Sequence, residues 1–226
     1  MSTRTEQKRH VADVTLARSY EQWCPIAVGL DLLGDRWTLL ILRELMLDDQ
    51  RFTDLRQALR GLAPNLLSDR LRALTEMGLV VTAELPPPAA RTVYRITDDG
   101  RDAAPVLRAL ARFGVRHLAG EPGTDMDARR AANALMVPWY RPGRRGLRAR
   151  LVLTPSGRGE PTAVDMLLTR PIVLMRSEAE GGEPVDVTLT TSAEALAAAR
   201  RDGAPLDVVP AGSARDVALF REAFSI

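Results

Sequence analysis

The stretch from Pro64 to Gly78 limits what this chain can fold into more than any other segment. Pro64 suits the first position of a helix, where its missing N–H has no intrahelical partner to lose. Gly78 is a stop signal. Between them, at about 100° per residue, Leu67, Leu71 and Leu74 fall within a narrow arc. Asn65, Asp69, Arg72 and Glu76 point the opposite way, with Ser68 on one flank and Leu66 and Ala73 on the other. Two short strands, Leu79–Leu85 and Arg91–Thr97, should follow. Pro86-Pro87-Pro88-Ala89-Ala90 lies between them and predicts a hairpin with a stiff tip.

The flanking residues extend this pattern. Pro25–Leu33 reads as a helix with Ile26, Leu30 and Leu33 on one side, ended by Gly34. Arg36–Leu47 reads as a second helix. Its apolar positions Leu39, Leu40, Leu42, Leu45, Met46 and Leu47 cover more than one face, so burial is expected. Arg51 and Phe52 form a brief extended step, and Thr53 is placed to cap a third helix, Asp54–Leu59. Past the hairpin, Asp98 is expected to cap one long helix, about Asp99–Leu118. The predicted order is four helices, two strands and a helix.

A short helix with a leucine inner face and an Asn/Ser/Asp/Arg outer face can enter the major groove of DNA. Arg forks to guanine, Asn pairs with adenine and Asp accepts from cytosine. The competing reading is a plain solvated face. Arg91, just past the proline tip, stands where a wing would meet the phosphate backbone. Arg51 and Thr53 at the third helix offer a second phosphate contact through backbone amides. The net charge of +2 is small, but from Gln50 to Arg95 seven arginines face four acids. Local patches must therefore carry any phosphate attraction.

These motifs recur in a recognisable order: Cys24-Pro25, Gly34-Asp-Arg-Trp37-Thr, Leu40-Ile-Leu42, Arg51-Phe52-Thr-Asp-Leu55, Leu66-Leu67-Ser68-Asp-Arg70-Leu71, Met77-Gly78-Leu79-Val80, and Tyr94-Arg-Ile-Thr97 with Gly100. The set resembles the HxlR family of winged helix-turn-helix regulators, relatives of the MarR group. The resemblance implies a homodimer held by the first and last helices of this domain. It also implies a recognition helix at Pro64–Glu76, so the expected DNA-binding set is Arg51, Thr53, Pro64, Asn65, Ser68, Asp69, Arg72 and Arg91. Ala63 stands where the family usually has a capping serine, a loss of about 0.5–2 kcal/mol. Cys24 aligns with a cysteine that senses oxidants or electrophiles in some members; the bland alternative is a buried small hydrophobe.

The second half alternates differently. Leu147, Ala149, Leu151 and Leu153 interleave with Arg148 and Arg150, and Val185, Val187 and Leu189 with Asp186 and Thr188. Val164–Arg176 holds one or two apolar strands. A helix is expected at about Asp125–Tyr140. Thr191-Ser-Ala-Glu194 reads as a capping box opening a helix to Arg201. Leu206–Val209 reads as a strand, and Ser213-Ala-Arg-Asp216 caps a last helix ending near Phe224. The five arginines between Arg141 and Arg150 are read as the outer face of a strand, ahead of an anion grip or a longer DNA footprint. From Val185 onward the pattern resembles the end of the sterol carrier protein type 2 fold. That resemblance implies a sheet with helices over an apolar tunnel for a lipid-like or polycyclic ligand. The candidate lining is Met136, Trp139, Met166, Leu168, Leu174, Met175, Leu196, Phe220 and Phe224, for which ordinary core is the competing reading.

The expected fold is therefore α+β: a winged helix-turn-helix domain at 1–118, a linker at 119–124, and a smaller α+β domain with a mainly antiparallel sheet at 125–226. With 226 residues and 46% hydrophobic residues, two small packed domains are attainable. One cysteine and two histidines leave no disulfide within the chain and no cysteine-rich zinc site, so no metal or other cofactor is expected. The N-terminal residues MSTRTEQKRH have no apolar core of a signal peptide. No apolar run approaches the ~20 residues that span a bilayer, so no membrane partner is expected and the cytoplasm is the default location. No nucleophile–base order, phosphate loop or paired His/carboxylate cluster suggests an enzyme. The leading expectation is a dimeric regulator that binds a palindromic operator in double-stranded DNA and responds to an apolar or polycyclic small molecule. The alternative is a carrier that sequesters such a molecule and uses the winged domain to dimerise.

Overall fold

The computed structural model describes residues 19–85, 91–120, 126–141, 146–155, 159–168, 173–177, 184–203 and 209–224. The proline tip 86–90, most of the expected linker (121–124), Arg144, Arg145 and 206–208 lie outside the described residues. The chain divides into two compact units, Met1–Pro105 and Val106–Ile226.

In the first unit the helices are α1 (Pro25–Leu33), α2 (Thr38–Leu45), α3 (Phe52–Ala58) and α4 (Pro64–Glu76). The strands β1 (Val80–Leu85) and β2 (Arg91–Ile96) pair antiparallel, with Val80 opposite Ile96 and Leu85 opposite Arg91. A short helix, α5 (Asp98–Arg101), follows. Ile41, Leu42 and Leu45 of α2, Leu55 of α3, Leu67, Leu71 and Leu74 of α4, and Val80 and Ile96 of the hairpin form one core. Each such side chain contributes about 1.5–3 kcal/mol on burial, which is what holds α4 with one face inward. Four helices followed by a hairpin are the winged helix arrangement that the sequence predicts.

Several boundaries differ from expectation. The second helix starts at Thr38, not Arg36, because Trp37 has a left-handed backbone (φ 80) that no helical residue adopts. Leu40 of this helix is exposed, so burial is confined to the Ile41–Leu42–Leu45 side. The third helix begins at Phe52 with Arg51 as its cap, placing Thr53 inside the helix. Asp54 takes the capping role: its carboxylate accepts from the Arg51 backbone N–H at 3.1 Å. Thr97, not Asp98, caps the helix after the wing, its hydroxyl accepting from the Gly100 N–H at 3.0 Å. The single long helix expected there is broken into α5 and α6 (Ala104–Gly114), then a 3-10 turn at Val115–His117. Pro105 accounts for the break, since it has no N–H for the Arg101 carbonyl and its ring clashes there.

Gly100 has a packing reason to be glycine. A Cβ there would collide with the Leu79 carbonyl oxygen and crowd Ile96 Cγ1. The same Leu79 oxygen accepts from the Thr97 N–H at 3.1 Å, and the Thr97 hydroxyl donates to the Gly78 carbonyl at 2.7 Å. These bonds pin the root of the wing to the end of α4.

In the second unit, α7 (Ala128–Leu135) is capped by Asp127 and followed by a 3-10 turn, Val137–Trp139, so Pro138 shortens the helix expected to reach Tyr140. The strands are β3 (Leu147–Thr154), β4 (Thr162–Leu168), β5 (Val173–Ser177), β6 (Val187–Ser192) and β7 (Val209–Gly212), in sheet order β5-β4-β3-β6-β7. Only β3 and β6 run parallel, so the sheet is mainly antiparallel. Leu147, Ala149, Leu151 and Leu153 of β3 point inward with Val164, Met166 and Leu168 of β4 and Val187 and Leu189 of β6. Helices α7, α8 (Ala193–Asp202) and α9 (Ala214–Phe224) pack on the sheet. Ser192 caps α8 by accepting from the Ala195 N–H, one residue later than the expected Thr191.

The division at Pro105 and Val106 falls earlier than the expected boundary at Leu118. The reason is local to the second unit. Val115 is buried, and Arg112 Nε donates to the Pro138 carbonyl at 3.2 Å. These contacts assign most of α6 to the second unit.

Candidate nucleic-acid interface

Along α4 the inner face is fully used by Leu67, Leu71 and Leu74. The exposed residues are Pro64, Asn65, Ser68, Asp69 and Arg72, followed by Thr75 and Glu76 at the end of the helix. Asn65, Ser68, Asp69 and Arg72 follow the i, i+3, i+4, i+7 spacing, so they make one stripe along the helix. Arg72 Nη2 lies 3.1 Å from Asp69 Oδ1. The N-cap residue is Ala63, extended and without any side-chain acceptor for the first-turn amides.

Arg70 points elsewhere. Its Nη1 sits 2.7 Å from Asp35 Oδ2, and its Nε donates to the Arg36 carbonyl. It ties α4 to the turn between α1 and α2 and thereby fixes how the stripe is presented. No local pattern signals this bond, because its partners are remote in sequence.

Arg51 and Thr53 are both exposed at the start of α3. The Arg51 guanidinium is engaged, however. Nε and Nη2 donate to the two Asp54 oxygens at 2.8 and 2.7 Å. The hydrogen bond from Arg51 holds the Asp54 carboxyl below its ordinary value, and the same bond raises the Arg51 guanidinium. Of the contact expected through backbone amides, the Arg51 N–H is already taken by Asp54, while Thr53 stands exposed. An arginine cap with an acid three residues on was the signal for that bond. Gln50 forms a bridge to Tyr94, with N–H to carbonyl bonds of 3.0 and 2.8 Å in the two directions. Next to it, Arg95 pairs with Asp49, which raises the Arg95 guanidinium. Arg91 is exposed at the first position of β2, beside the wing tip.

The remaining sequence-predicted residues sit apart from this face. Cys24 is half-buried at the N-cap of α1. Met136, Met166, Leu168, Leu196, Phe220 and Phe224 are buried together in the second unit, where Phe224 packs against Phe220 and Tyr140 with ring centroids 4.9 and 5.5 Å apart. Trp139 is half-buried, with the Arg200 guanidinium 4.9 Å from its ring centroid. Leu174 and Met175 belong to β5, and their side chains lie outside the described residues. Of the arginine run, Arg150 pairs with Asp165 across β3 and β4 at 2.7 and 2.9 Å, on the face opposite Ala149 and Leu151. Among the described residues no cluster of three or more His, Cys, Asp or Glu could hold a metal, and no helix is long and apolar enough to cross a membrane.

Residues 32–122 match the HxlR-like helix-turn-helix family. The chain is similar to the uncharacterized HTH-type transcriptional regulator sll1512 of Synechocystis, with 39% identity over 40% of this chain and 67% of that protein. It is 38% identical to the uncharacterized HTH-type transcriptional regulator MT3179 of Mycobacterium tuberculosis over 45% of this chain and 63% of that one. The uncharacterized HTH-type transcriptional regulator YvaP of Bacillus subtilis is 33% identical over 41% of this chain and 86% of its own length. The chain thus spans about two thirds of the length of the first two and most of the third. Among solved structures, PA1607 is 34% identical over 47% of this chain and 74% of that one, with a TM-score of 0.41. The reduced form of the transcriptional regulator YodB from B. subtilis is 26% identical over 45% and 99%, with a TM-score of 0.38. The chain belongs to the HxlR-like helix-turn-helix family.

Proposed function

We propose that the protein is a cytoplasmic transcriptional regulator, not an enzyme, that binds a palindromic operator as a homodimer. The observation that carries this reading is the exposed stripe Asn65, Ser68, Asp69 and Arg72 on a helix whose other face is locked into a leucine core. Such a stripe offers the donors and acceptors that base edges require. Arg91 on the wing supplies a backbone contact.

Dimerisation is supported by two uncovered apolar helix faces. On α1, Ile26 is 74% exposed and Leu30 is also open; on α6, Val106 and Leu110 are exposed one helical turn apart. Apolar patches of this kind mark interaction surfaces. A second copy of the chain is the occupant in this reading.

The second unit is proposed to sense an apolar or polycyclic small molecule, in keeping with its resemblance to sterol carrier protein type 2. The buried methionine and phenylalanine cluster would part to admit it, since Met side chains adapt readily. Control of DNA binding then requires the ligand to prefer one dimer conformation. Cys24 is proposed as an accessory thiol sensor; unchanged oxidant response in Cys24→Ser would remove that role.

A mobility-shift titration with the chain's own upstream DNA, against random competitor at two salt concentrations, tests the main reading. A regulator retains preferential binding as salt rises. A carrier that merely dimerises through the winged unit shows only sequence-blind binding that salt abolishes.

A further inference from the structure

The second unit contains an open cleft of about 500 Å³ whose lining includes Arg112, Phe113, Arg116, Trp139, Arg200 and Arg201. That volume falls within the usual range for small-molecule sites. Four of these six residues are arginines, and among the described residues no acidic side chain lines the cleft.

The charges are unequally compensated. Arg201 pairs with Asp202 at 3.1 Å. Among the described residues, Arg112, Arg116 and Arg200 pair with no carboxylate. Arg112 has only the Pro138 carbonyl, and Arg116 lies over the Phe113 ring at 5.5 Å. Arg200 Nε donates to the Leu135 carbonyl at 2.8 Å and Nη1 to the Phe224 carbonyl at 2.9 Å. Leu135 and Phe224 are the last residues of α7 and α9, so Arg200 caps two helix C-termini. Its third nitrogen, Nη2, is buried with no hydrogen-bond partner. Burial, helped by the nearby Arg112 charge, pushes the guanidinium down to about 10. Capping explains where Arg200 sits. It does not explain why Arg112 and Arg116 are brought beside an already desolvated cation.

We propose that this cleft is a binding site for an aromatic carboxylate. Arg112 and Arg116, exposed at the cleft, fork onto the carboxylate. The uncompensated charge of Arg200 adds to the attraction, and Phe113 and Trp139 flank the ring. This site is distinct from the buried Met/Phe interior and does not depend on the chain reading DNA.

The test is calorimetric titration of the full chain with 2-naphthoate, with neutral 2-naphthamide and inorganic phosphate as comparisons. The expected result is one naphthoate per chain, with the amide and phosphate each at least tenfold weaker. Arg112→Gln with Arg116→Gln should weaken naphthoate tenfold or more and leave the amide unchanged, while the chain stays folded with only the Arg112–Pro138 hydrogen bond lost. Both residues are surface-exposed, so this variant keeps the test valid even if Arg200→Gln fails to fold. A shift of the Trp139 indole N–H signal on titration places the ring. Absence of naphthoate binding at millimolar concentration, equal binding of acid and amide, or an unaffected double variant would each overturn the proposal.

Discussion

Asp69 and Arg72 are ion-paired on the exposed face of α4, with Nη2 and Oδ1 3.1 Å apart. The pair holds the guanidinium in one place, and the acid repels phosphate. Asp69→Ala should therefore raise affinity for random-sequence DNA and narrow the gap between operator and random DNA. Anisotropy titrations across a salt series measure both. A mere surface pair would leave the discrimination unchanged.

Ala63→Ser should stabilise the first unit by about 0.5–2 kcal/mol, because it supplies the acceptor that the first turn of α4 lacks. Urea or thermal unfolding reads this directly. An unchanged midpoint would mean that the orphan amides carry no cost in water.

Gly100→Ala should destabilise the winged unit by about 1–3 kcal/mol or more, as overpacking does, since the new methyl would meet the fixed Leu79 carbonyl. Loss of DNA binding should accompany the fall in midpoint, because the same carbonyl anchors Thr97 at the wing root. A variant as stable as the parent would contradict the described approach.

The Arg51–Asp54 pair predicts a pH effect. Bonding to Arg51 lowers the Asp54 carboxyl below its ordinary 3.8. The unfolded chain therefore takes up the proton first, and the pair's contribution is present above pH 3.8 and lost as pH falls through the lower folded value. The difference in unfolding midpoint between parent and Asp54→Asn should shrink from pH 6 to pH 3. A difference independent of pH would show that the pair carries no charge-dependent stability.

What was legible in the sequence follows the range of each interaction. The leucine period of α4, its proline start and its glycine stop are local, and they located both the helix and its outer stripe. Helix caps were placed one residue off at Thr97/Asp98 and Thr191/Ser192, because adjacent residues there are all competent caps and only tertiary packing chooses between them. The break before α6 was available from Pro105. The Arg70–Asp35 and Arg95–Asp49 pairs were not legible, since each joins residues far apart in sequence. Neither was the exposure of Ile26 or Leu110: an apolar period says that a face needs covering, not which surface covers it. The arginine cleft was hidden for the same reason, being assembled from α6, the 3-10 turns and α8.

Selection of binding sites from a random DNA pool, followed by affinity measurement for the parent and Arg72→Ala, tests the central claim most directly. The account predicts an enriched two-fold symmetric site with half-sites about one helical turn, roughly 10 base pairs, apart. It also predicts that Arg72→Ala weakens binding to that site by about 1–3 kcal/mol while binding random DNA almost as before. Failure to enrich any sequence, with equal affinity of parent and variant for every DNA tested, would contradict it.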